Sequence, residues 1–82
     1  MTPRQQARAA VHCEVLAATT LHNGDMEGAA VLYEAAARIH EAAGCLSVAR
    51  EIRTLAAAEL QRAQRHAQII VSLAARSREV RP

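Results

Sequence analysis

Lysine, phenylalanine and tryptophan are all missing from this 82-residue chain, and the only aromatic side chain is Tyr33. Without more rings, the core has to be built from small aliphatic groups. Glycine occurs only at positions 24, 28 and 44, and proline only at 3 and 82. These scattered glycines form no phosphate-cradling loop. No apolar run approaches the ~20 residues needed to cross a bilayer. Met1-Thr2-Pro3-Arg4-Gln5-Gln6 has no hydrophobic signal core. The chain is therefore expected to be cytosolic, without a membrane partner, and to carry Cys13 and Cys45 as reduced thiols.

What fills the space is alanine, at twenty positions, within an apolar content of 51%. Alanine buries little area, so the core is expected to be thin and the backbones closely spaced. Ten arginines and eight acids leave a net charge of +2. That balance lacks the concentrated basic face of a dedicated nucleic-acid binder. Arginine without lysine, together with so much alanine, is the composition expected of a GC-rich bacterial coding sequence. At this length a lone core supplies only a few kcal/mol, so association with itself or a partner is expected.

Glycine and proline divide the chain into three helical segments, and no strand-like alternation competes with them. Thr2-Pro3-Arg4-Gln5 has the form of a capping box that opens a helix over 3–22. Asn23-Gly24-Asp25 closes it and supplies Asp25 as the next N-cap. A second helix is expected over 26–43, stopping at Gly44. A third is expected over 46–77, followed by a tail over 78–82. The expected fold is all-α, a helical hairpin plus a long third helix in one domain. Ala63, Ala67, Ile70, Val71 and Ala74 form an apolar stripe at helical spacing in the distal third helix. Either that helix bends back near Arg65-His66, or the stripe packs on another chain.

The segment Gly24-Asp25-Met26, Ala29, Tyr33 and Ala36 resembles the turn and second helix of a tetratricopeptide repeat. Leu16 and Ala17 fall on that family's positions in the preceding helix, and the match covers about Ala10 to Gly44. Cys13 and Thr20 depart from the pattern where large aromatics are common, and the proline that ends a repeat is missing. The Gly-Asp opening and the Leu32-Tyr33 pair are also similar to the middle helix of microtubule-interacting-and-transport (MIT) domains. The resemblance implies a protein–protein interaction module rather than an enzyme. It places Leu16, Ala17, Ala29, Tyr33 and Ala36 in the core, and Val11, Glu14, Ala18, Leu21 and His22 along a partner-facing groove. Ile52 and Leu55 are expected to complete the core from the third helix.

The groups able to do chemistry are few. His12 and Cys13 are helix neighbours pointing about 100° apart, which cannot easily clasp one ion. A composite site of Cys13, His40 and Cys45 would need helix ends to meet. No short Cys-x-x-Cys pair starts a zinc site, so no metal or cofactor is expected. Cys13 reads as an apolar filler and Cys45 as an exposed loop thiol. Seven of the ten arginines lie between Arg50 and Arg81, against Glu51, Glu59 and Glu79. Arg62, Arg65, Arg76 and Arg78 are candidates for the rim of an interface, or alternatively for phosphate contacts. Glu34–Arg38 and Glu59–Arg62 have the spacing of intrahelical ion pairs. The expected function is burial of apolar helix faces against a protein partner or a second copy, a dimer being favoured. The chain would then act as an adaptor, regulator or inhibitor.

Overall fold

The computed structural model describes residues 1–79. Its helices are α1 (Pro3–His22), α2 (Met26–Ala42) and α3 (Leu46–Glu79). Among the described residues there is no strand, and the fold is all-α. At the start of α1 the Gln5 amide donates to Thr2 Oγ1 at 3.2 Å, and the Thr2 amide donates to Gln5 Oε1 at 2.9 Å. Both partners of the capping box are thus in place.

The two turns share one design. The Asp25 amide donates to the Thr20 carbonyl and the Gly24 amide to the Leu21 carbonyl, both at 3.0 Å. Twenty residues later the Cys45 amide donates to His40 at 2.8 Å and the Gly44 amide to Glu41 at 2.9 Å. These paired bonds satisfy carbonyls left open at the ends of α1 and α2. Each needs a left-handed residue, and Gly24 and Gly44 adopt φ of +89° and +82°. Ala43 serves as C-cap, so α2 stops at Ala42, one residue short of expectation. The Asp25 carboxylate then caps α2, accepting from the Gly28 amide at 2.9 Å.

α2 is the central element and packs against both α1 and α3. The core gathers Ala17, Ala29, Ala36, Ala37, Ala49, Ile52 and Ala56 around Tyr33, which is 6% exposed. Alanines at the crossings let the axes approach toward the short end of the ~8–10 Å range. Two residues expected in this core lie outside it: Leu16 is 40% exposed and Leu55 49%. The contacts go to their neighbours Ala17 and Ala56, and one residue along a helix turns a side chain by about 100°. Leu21, expected on a groove, is half-buried and packs against the core, as does Leu60.

α3 does not bend at Arg65-His66; it is one helix of 34 residues running to Glu79. Arg78 and Glu79, expected in the tail, are its last residues, and Val80–Pro82 lie outside the described residues. At 1.5 Å per residue, α3 is ~51 Å long against ~30 Å for α1. The molecule measures 64 × 19 × 12 Å, with a radius of gyration of 16.9 Å. A compact domain of this length would have about 12 Å.

Candidate interaction site

Arg53 joins α3 to α2. Its guanidinium donates to both Glu34 oxygens, at 2.8 and 3.1 Å, and also to Glu41. Glu34 and Glu41 lie seven residues apart on one face of α2, so a single fork reaches both. Hydrogen bonding from Arg53 holds the Glu34 carboxyl below the ordinary carboxylate range, with Arg38 adding to the effect. The same contacts raise the Arg53 guanidinium further above its already high range. The expected pairs Glu34–Arg38 and Glu59–Arg62 form at 3.5 and 3.2 Å. The Arg53 clamp was not legible in the sequence, because its partners lie 12 and 19 residues away.

Tyr33 sits where all three helices meet. Burial raises its phenol above the ordinary value of 10.0, and the charges of Glu59 on α3 and Glu14 on α1 raise it further. Glu14, expected on a groove, is therefore half-buried beside the core. Val11, Ala18 and His22 lie exposed on the far side of α1. Val11 lines a shallow groove there with Ala7, Val15, Arg4, Arg8 and His12. Leu21 does not join that face.

The second expected surface lies on α3. Ala63 is half-buried at the edge of the body, whereas Ala67, Ile70, Val71 and Ala74 are exposed. From Gln64 to Arg78 no side chain is even half-buried, so this stretch projects as an arm. At 100° per residue, Ala67, Ile70 and Ala74 lie on the same azimuth as Ala49, Ile52 and Ala56. The stripe that covers α2 therefore continues in phase past the point where α2 ends. Ile69 and Leu73, an i,i+4 pair absent from the expected surface, lie on another side of the arm, where they line a shallow groove with Arg65 and Arg76. Arg62, Arg65 and Arg76 share the opposite side of the arm, and Arg78 lies at the stripe's edge. All four are exposed.

Among the described residues, no three His, Cys, Asp or Glu side chains gather as a metal-binding group. Cys13 is half-buried against the core, and Cys45 is exposed at the α2–α3 turn. No described helix is long and apolar enough to cross a membrane. No family model matches the chain, and no curated protein or solved structure shows significant similarity to it.

Proposed function

We propose that this chain is a non-catalytic protein–protein interaction module: a tetratricopeptide-like hairpin carrying a helical arm that docks on a protein partner or a second copy. The observation that carries this reading is the arm of α3. Ile69, Ile70, Val71 and Leu73 stand 54–68% exposed on it, and Ile70, with Ala67 and Ala74, is in phase with the residues of α3 that cover α2. A helix apolar on a face that its own chain leaves open gains by burying that face elsewhere. Arginines beside the stripe orient the partner and steer its approach. Such a module acts by occupancy, as an adaptor, regulator or inhibitor in a bacterial cytoplasm.

The test is arm-dependent association. Wild-type and Ile70→Asp proteins are compared by light scattering over a hundredfold concentration range and by affinity capture from the source organism. The reading expects self-association or capture of a specific protein, lost in the variant while circular dichroism shows the body still folded. A folded monomer whose associations ignore Ile70→Asp overturns it.

A second reading is nucleic-acid association through Arg62, Arg65 and Arg76, supported by their common face on the arm. It requires retardation of a generic duplex that weakens steeply with salt. It also requires insensitivity to Ile70→Asp, because that stripe lies on the other side.

A further inference from the structure

We propose that the occupant of the α3 arm is the arm of a second copy, paired antiparallel about a twofold axis near Ser72; this rests on the interaction reading above and specifies its partner. Three features of the structure lead there.

The first is where the free face begins. Ala30, Tyr33 and Glu34 of α2 line one groove with Arg53, Ala56 and Leu60 of α3, so the two helices run antiparallel at fixed levels. One turn further, Met26 stands level with Ala63 and Gln64, where burial on α3 stops. A docking helix therefore meets a steric stop at the start of α2. An antiparallel arm whose Glu79 lies level with the partner's Arg65 fills the open face up to that stop.

The second is seam chemistry. Ala63, Ala67, Ile70, Ala74 and Ser77 follow one another at spacings of four, three, four and three, the 3.5-residue period of a helix pair. In the antiparallel register Ile70 of each copy faces Ala74 of the other, and Ala67 faces Ser77. Every large residue meets a small one, and the axes stay evenly close. A parallel pair would instead stack Ile70 on Ile70 and leave gaps at the alanine layers. It would also align the two sets of arginines.

The third is charge. Residues 60–82 hold five arginines and one acid, while residues 1–59 hold five arginines and seven acids. The arm is basic and the body acidic. Antiparallel docking brings Arg78 of one copy, at the edge of the stripe, beside Asp25 and Glu27 at the start of the partner's α2. The C-terminal end of one helix also abuts the N-terminal end of another, so the helix dipoles align favourably. Along the seam itself Arg62, Arg65 and Arg76 point outward, so like charges are kept apart.

An overlap of ~23 Å with about eight side chains per copy buries on the order of 800–1,000 Å², at the lower edge for a specific interface. The dimer should therefore dissociate at roughly micromolar to submillimolar concentration. Cross-linking tests the geometry directly. In a Cys13→Ser, Cys45→Ser background, Ala67→Cys chains are mixed with Ser77→Cys chains under mild oxidation. The proposal expects heterologous disulfide dimers from the mixture and few from either variant alone, since equivalent positions lie about 15 Å apart along the axes. Sedimentation should show a concentration-dependent dimer. Asp25→Asn with Glu27→Gln, which keeps a capping residue on α2, should weaken that dimer about two- to fivefold.

Efficient self-cross-linking of each single variant would mean a parallel pair and overturn the proposal. A monomer at the highest concentration, with no cross-link, would also overturn it. If such a monomer still captured another chain through Ile70, the interaction reading would survive with a different occupant. If it did not, both would fall. Binding of the monomer to anionic phospholipid vesicles in place of dimerisation would likewise overturn the proposal.

Discussion

Removal of the single aromatic ring puts the packing argument at most risk. Tyr33 is 6% exposed and lies at the junction of the three helices. A ring this size contributes ~150–200 Å² of burial, of which Tyr33→Ala removes about 100–150 Å². At ~25 cal/mol per Å² that is about 2.5–3.8 kcal/mol, before any cavity cost. The alanines around it have no rotamers with which to fill the hole, so the loss should reach the ~3–5 kcal/mol seen for buried aromatics. A chain of this length is stable by only ~4–12 kcal/mol, and a thin core belongs in the lower half of that range. Tyr33→Ala should therefore lose most of the cooperative unfolding transition.

Tyr33→Phe supplies the control. No buried side-chain oxygen among the described residues lacks a hydrogen-bond partner, so the Tyr33 hydroxyl is not a buried orphan. Losing it should change stability by no more than ~0.5 kcal/mol. The assay is urea unfolding followed by far-UV circular dichroism, with Tyr33→Leu as a rescue that retains part of the volume. A Tyr33→Ala loss below ~1.5 kcal/mol would refute the reasoning, because the ring would then not be the centre of the core.

Because Tyr33 is the only tyrosine, its ultraviolet absorbance titration reports one group, which should titrate above 10.0 in the folded protein. A folded value raised above the unfolded one stabilises below the unfolded value and is lost as pH rises through the folded one. Wild type should therefore destabilise in strong base and Tyr33→Phe should do so less. The Glu34 carboxyl is held below its ordinary 4.5, so its contribution is present above that pH and disappears as pH falls. Arg53→Gln should return that carboxyl toward the ordinary value in a carboxylate titration and flatten the acid limb of the stability curve. Cys45 precedes α3 in the position that Asp25 holds before α2. Cys45→Asp should add a cap worth ~0.5–2 kcal/mol, read as a higher urea midpoint with an unchanged slope. Gly44→Ala, which must hold φ of +82°, should cost about 1–2 kcal/mol in the same experiment.

Local rules made the helix starts and turns legible. Thr2 and Gln5 cap each other, Gly24 and Gly44 take the left-handed positions, and Asp25 caps α2; each needs only residues within five positions of itself. The same holds for Glu34–Arg38 and Glu59–Arg62, fixed by one helical turn. The all-α class followed from periodicity over segments long enough to be unambiguous. The small residues of the hairpin, Ala17, Ala29 and Ala36, were placed in the core by the resemblance to a tetratricopeptide repeat, and they are buried.

Tertiary structure decided what helical spacing leaves open. Leu16 and Leu55 are apolar and adjacent to core alanines, but only the rotation of α1 and α3 about their axes shows that Ala17 and Ala56 take the contacts. Arg53 found Glu34 and Glu41 only once α3 lay antiparallel to α2. Whether α3 bent or ran straight was equally open, since nothing between Cys45 and Arg81 forces a break. By itself, the sequence determined three helices, their turns and two apolar stripes, because caps and periodicity act over a few residues. Only the assembled fold decided that one stripe continues uncovered beyond α2, because that depends on where one helix ends against the length of another.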